Sequence, residues 1–115
     1  MQTLMIVDDS PEFLLSAGAM LAEEGFDVVA CISDPMQVVN EVLRLRPAVV
    51  LVDIHMPLVD GFQVARRLAR LDQPPIVVLV SSRDADSFGD DLTAAPVRGF
   101  ISKWELSGDA LASMV

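Results

Sequence analysis

The sequence predicts an α/β domain built on a five-stranded, doubly wound parallel sheet. Nearly continuous apolar runs occur at Leu4–Val7, Val28–Ile32, Val49–Val52 and Ile76–Val80, with a shorter one at Phe100–Ile101. Runs that do not alternate with polar residues are expected of strands buried on both faces. Segments of helical periodicity separate them, so the order is strand then helix, five times over. Residues 1–115 are enough for one core and one domain.

Each element carries its own signals. The first helix follows Ser10-Pro11, a capping hydroxyl before a proline at the first helical position, and Gly25 closes it. Its apolar face is Phe13, Leu14, Ala17, Met20 and Leu21. The second helix starts at Asp34-Pro35, presents Val38, Val39, Val42, Leu43 and Leu45, and stops before Pro47. The third starts at Asp60-Gly61-Phe62-Gln63, presents Phe62, Ala65, Leu68 and Ala69, and ends before Pro74-Pro75. Two weaker helices are expected, over Ala85–Thr93 and, for about two turns, Ser107–Met114. Met5, Met20 and Met36 read as core or near-core filler, and Cys31 as packed near the end of the second strand.

Composition removes several function classes. Hydrophobic residues make up 52% of the chain, so it is expected to fold. No apolar stretch reaches the ~18 residues of a membrane span, and with Asp8 and Asp9 so early a signal peptide is not expected. A single cysteine, Cys31, excludes an internal disulfide and suits the cytoplasm. A formal net charge of −9 argues against binding to nucleic acid or to an anionic membrane by this domain.

The informative residues stand at strand ends. Right-handed crossovers in a doubly wound order put the first and third strands side by side, and ligands bind beyond their carboxyl ends. Asp8 and Asp9 follow the first strand, and Asp53 follows the third. Ionised carboxylates about 5 Å apart repel by roughly 3 kcal/mol at an effective dielectric near 20. Such a group is expected to hold a hard, oxygen-loving cation, and Mg2+ fits best. Ser81 ends the fourth strand and Lys103 follows the fifth. A hydroxyl and an ammonium beside a cation suit a phosphoryl group, with Asp53 as the nucleophile.

Taken together, Ile6-Val7-Asp8-Asp9-Ser10, Val52-Asp53-Ile54-His55-Met56-Pro57-Leu58-Val59-Asp60-Gly61, Leu79-Val80-Ser81-Ser82 and Gly99-Phe100-Ile101-Ser102-Lys103 resemble the receiver domain of two-component response regulators, in order and spacing along essentially the whole chain. The resemblance implies a flavodoxin-like sheet of order 2-1-3-4-5 with a short last helix. It implies that Asp53 accepts a phosphoryl group from a sensor histidine kinase. Asp9 and Asp53, with the backbone carbonyl of His55, would ligate Mg2+, and Asp8 would act mainly through water. Ser81 and Phe100 hold the switch positions, and Lys103 that of the phosphate-binding lysine. His55 and Arg83 occupy positions that border the path of the hydrolytic water and tune phosphate lifetime.

Some positions depart from the common pattern. Trp104 follows Lys103 where the family often has proline, Phe100 stands for tyrosine, and Ser81 lacks the methyl of threonine. Trp104 either covers the start of the last helix or belongs to a partner or homodimer surface formed by the fourth helix, fifth strand and fifth helix. A pseudo-receiver that works without phosphate is one alternative, although the acceptor, the acidic pair and the lysine that such modules lose are all present. An aspartyl phosphohydrolase is another, but it would need a carboxylate where His55 stands. No linker begins in the final helix, so a stand-alone receiver is slightly favoured over one joined to an effector domain.

Overall fold

A computed structural model describes all 115 residues, and each apolar run lies within a strand. The strands are β1 (Thr3–Val7), β2 (Asp27–Ile32), β3 (Val49–Asp53), β4 (Ile76–Ser81) and β5 (Gly99–Ser102). The helices between and after them are α1 (Pro11–Glu23), α2 (Val38–Leu45), α3 (Gly61–Ala69), α4 (Asp90–Ala94) and α5 (Gly108–Ala112). All strand pairs are parallel and the order is β2-β1-β3-β4-β5. No helix is long and apolar enough to cross a membrane.

The strands alternate despite their unbroken hydrophobicity, because successive side chains point to opposite faces. Met5, Val7, Val50, Val52, Val77 and Leu79 meet Val38 and Val42 of α2 and Phe62, Ala65 and Leu68 of α3. Leu4, Ile6, Val49, Leu51, Val78, Val80 and Ile101 meet Leu14, Ala17 and Leu21 of α1 and Leu111 of α5. Two cores therefore flank one sheet, with α1 and α5 on one side and the other three helices opposite.

The caps form as their residues dictate. Ser10 Oγ accepts from the Phe13 N–H at 3.3 Å, with Pro11 behind it. Asp60 and Gln63 form a reciprocal capping box, each bond 2.9 Å. Ser107 Oγ accepts from the Ala110 N–H at 3.0 Å, and the Glu24 carboxylate accepts from the Gly108 N–H, docking α5 on the end of α1. Gly25 follows α1 at φ 110°.

The structure corrects several expectations. The second strand is not buried on both faces; it is the sheet edge, and its residues are half-buried or exposed. The Asp34 cap opens a 3-10 turn over Pro35–Gln37, and α2 proper begins only at Val38. The fourth helix does not run through Ala85–Thr93. A 3-10 turn covers Ala85–Ser87, Gly89 turns the chain at φ 53°, and α4 is left with five residues. Leu43, Ala69 and Met36 face solvent rather than the core, and Cys31 is exposed.

Gly61 is required by proximity, not by its dihedral angles, which are not in the left-handed region. A Cβ there would lie 2.5 Å from the Asp53 carbonyl oxygen and 2.8 Å from Ile54 Cα. The Gly61 N–H donates to Ile54 O at 2.9 Å, so α3 starts directly on the backbone of the β3 end. Gly61→Ala is expected to destabilise the fold by about 1–3 kcal/mol, as overpacking against unyielding backbone does. Urea unfolding would show this as a lower midpoint at unchanged slope, and an unchanged midpoint would contradict it.

Candidate functional site

The parallel register sets the site. Val7 pairs with Val52, so Asp8 and Asp53 emerge side by side where β1 and β3 end. Ligand oxygens of Asp8, Asp9 and Asp53 all lie within 4.8 Å of one another. Asp8 is completely buried, Asp53 is 4% exposed, and Asp9 faces solvent. The first-helix turn holds Asp8, whose Oδ1 accepts from the Ser10 N–H at 2.8 Å.

Lys103 lies just past β5, in a single 3-10 turn over Lys103–Glu105. Its Nζ sits 2.8 Å from Asp8 Oδ2 and 3.9 Å from Asp53 Oδ1. The shorter contact is an ion pair without hydrogen-bond alignment, since Asp8 Oδ2 has no hydrogen-bond partner despite its burial. Lys103 is the only lysine in the chain, a signal of its importance that composition already contained.

Charge decides what this rim can hold. Three ionised carboxylates and one ammonium leave a formal charge of −3 + 1 = −2. Burial pushes the Asp53 carboxyl up to about 6 from its ordinary 3.8, and the neighbouring Asp8 and, less strongly, Asp9 charges push the same way. Lys103 and the His55 backbone amide oppose that rise without cancelling it. An all-oxygen donor set and an excess of two negative charges fit a divalent hard cation.

Ser81 and Phe100 are placed near each other on β4 and β5, where Ser81 pairs with Ser102 and Leu79 with Phe100. Ser81 is fully buried, and its Oγ accepts from the Arg83 N–H at 3.0 Å. Phe100 is half-buried and packs on the α2–α3 core. The Arg83 and His55 side chains are exposed at the rim. Trp104 is 62% exposed, but it lines a groove with Phe13, Ala17 and Met20 of α1. A cleft of about 430 Å³ on the expected partner face is lined by Asp84, Asp86, Phe100, Glu105, Ala110 and Met114, among others, with Trp104 next in the chain to Glu105.

Two aromatic residues stand at the site without having been singled out for it. Phe13, read only as part of an apolar helix face, has its ring centroid 4.2 Å from Lys103 Nζ. Phe88 gathers the rings of His55, Phe62 and Phe100 at 5.5, 5.9 and 5.9 Å. Its signal was a large apolar residue alone in the polar stretch from Ser81 to Asp91.

A family model described as the response regulator receiver domain matches residues 4–115. The chain is similar to protein-glutamate methylesterase/protein-glutamine glutaminase 3 of Hahella chejuensis, at 36% identity over 94 residues. That match takes in 82% of this chain and 26% of the relative. It is also similar to the DNA-binding transcriptional activator EvgA of Escherichia coli, at 26% identity across 96% of this chain and 54% of that one. The chain thus spans about a quarter to about half the length of these relatives. Among solved structures, the signal receiver domain of the putative response regulator NarL from Mycobacterium tuberculosis superposes with a TM-score of 0.82 at 26% identity. That superposition covers 98% of this chain and 95% of that domain.

The raised Asp53 carboxyl has a consequence for stability. Between pH 3.8 and about 6 the folded protein keeps a proton that the unfolded chain has released. Stability is therefore lost as pH rises through that window, by about 3 kcal/mol in all. Without divalent cations, Asp53→Asn is expected to be more stable than wild type at pH 7 and nearly equal to it at pH 4. Urea unfolding in chelator at both pH values checks this, and a pH-independent difference would contradict the assigned cause.

Proposed function

The chain belongs to the response regulator receiver family, and from that premise we propose that it is a phosphorylation-controlled signalling domain of the cytoplasm whose acceptor is Asp53. The single observation that carries this reading is Asp53 itself. It is a buried carboxylate at the end of a central strand, within 4.8 Å of two other acids and 3.9 Å from the only ammonium side chain. A sensor histidine kinase is the proposed donor. The output is either a partner protein or an effector domain, and a homodimer through α4, β5 and α5 is one form it takes.

Asp9, Asp53 and the backbone carbonyl of His55 would hold Mg2+, with Asp8 acting mainly through water. The ion, when bound, supplies positive charge opposite the transferring phosphoryl oxygens. The chain's own groups do the rest. One Asp53 oxygen forms the new P–O bond as the P–N bond to a phosphohistidine donor breaks, and the departing imidazole takes up a proton. Lys103, already between Asp8 and Asp53, neutralises a phosphoryl oxygen. Ser81 Oγ now accepts from the Arg83 amide, and in the phosphorylated state it donates to the new group. Phe100, packed beside Phe88, moves into the space that Ser81 releases. Catalysis is limited to the domain's own phosphorylation and dephosphorylation.

Incubation with Mg2+ and acetyl phosphate, followed by intact-mass analysis, tests this. Wild type is expected to gain one phosphoryl group and Asp53→Asn none; equal labelling of the variant would move the acceptor elsewhere. His55 and Arg83 lie at the open rim, where an attacking water must pass. His55→Ala and Arg83→Ala are expected to change the decay rate of the phosphorylated form several-fold more than its rate of formation. Identical decay of all three proteins would remove both residues from that role.

A further inference from the structure

The Lys103 ammonium has three close neighbours. Two are carboxylates, Asp8 at 2.8 Å and Asp53 at 3.9 Å. The third is the ring of Phe13, centred 4.2 Å from Nζ. Phe13 is the third residue of α1, and its N–H is bound by Ser10 Oγ. Ser10 in turn donates its own N–H to Asp8 Oδ1. The connection from β1 into the first turn of α1 therefore carries both the carboxylate and the ring that face the ammonium, and Ser10 is bonded to each.

We propose that Phe13 is a positioning residue for phosphoryl transfer, holding the Lys103 ammonium at the rim beside Asp53 through a cation–π contact. The proposal rests on the reading of Lys103 as the group that neutralises the phosphoryl oxygens. A lysine stem has many rotamers, and the Lys103 side chain is 22% exposed, so water competes for its head. The negative face of a ring favours the rotamers that keep the head over it and excludes water on that side. The ring holds the ammonium without taking a directed hydrogen bond from it, which a third carboxylate would do.

Phe13 also borders Ala17, Met20, Trp104 and Leu106, so simple packing is the competing role. Leucine separates the two. It is apolar, of similar size and a better helix former than phenylalanine, so a packing role tolerates it; it has no ring face, so a positioning role does not. Tryptophan offers the stronger cation–π face.

The test uses the full chain with Mg2+ and acetyl phosphate, and follows acyl-phosphate formation on Asp53 across donor concentrations. Phe13→Leu is expected to lower the saturated rate about two- to fivefold, the fold-change that corresponds to a partly exposed cation–π contact. Phe13→Trp is expected to stay near wild type. In a Lys103→Ala background Phe13→Leu should have no further effect, because the two residues act as a pair. A wild-type rate for Phe13→Leu, an equal loss in the Lys103→Ala background, or a Phe13→Trp protein no faster than Phe13→Leu would each overturn the proposal. Wild-type protein that accepts no phosphoryl group would overturn the receiver reading as well; a labelled wild type beside an unaffected Phe13→Leu overturns only the role of Phe13. If Phe13→Leu fails to fold, the wild-type proton spectrum decides. The ε-methylene protons of Lys103, the sole lysine, should be shifted upfield by the ring, and an unshifted signal would overturn the contact.

Discussion

Asp8 and Asp53 are buried as carboxylates at the ends of adjacent parallel strands, and one ammonium, from Lys103, lies between them. The surrounding structure serves that unbalanced charge. Desolvation and mutual repulsion raise the Asp53 carboxyl to about 6, which makes the metal-free rim a source of instability near neutral pH. The flanking cores supply what offsets it. Leu4, Ile6, Val49 and Leu51 are fully removed from water within a few residues of the acids, and each buried side chain of this kind contributes about 1.5–3 kcal/mol. A site kept under electrostatic stress on a rigid sheet responds strongly to a ligand that relieves the stress, as a divalent cation does.

Strand alternation divides the labour at this rim. Asp53 follows the parity of Val49 and Leu51, and Asp8 that of Leu4 and Ile6, all on the side of α1 and α5. Phe100 follows that of Leu79, on the side of α2, α3 and α4, and Ser81 shares it. The charged groups thus meet α1, which contributes Phe13 to Lys103. The proposed switch pair meets the opposite layer, where Phe88 links Phe100 to His55 and Phe62. The α4 segment that carries this contact is the least regular part of the chain, a 3-10 turn and a five-residue helix joined at Gly89. A movement at Ser81 therefore meets, within that layer, a segment with few helical hydrogen bonds to resist it.

Much of this is legible in the amino-acid sequence. The strands and the first and third helix starts are written in local signals: unbroken β-branched runs, Ser10-Pro11 and the Asp60–Gln63 capping box. These are properties of a few neighbouring residues, so tertiary context had little to override. The α4 region misled because its polar residues have helix-compatible spacing while Gly89 adopts φ 53°. The exposure of Leu43, Ala69 and Met36 misled for another reason. Helical periodicity defines a face, but the width of that face depends on how closely the sheet approaches it.

Local patterns are enough to set the order of elements, their parallel sheet and the carboxylate, hydroxyl and ammonium groups at strand ends, because each follows from period, caps and turn residues over short spans. Which groups meet is settled by the folded arrangement. It places Lys103 closer to Asp8 than to Asp53, Phe13 against the ammonium, and Trp104 along a groove beside α1. Those distances depend on sheet register and on the docking of helices from distant parts of the chain, and no local pattern encodes either.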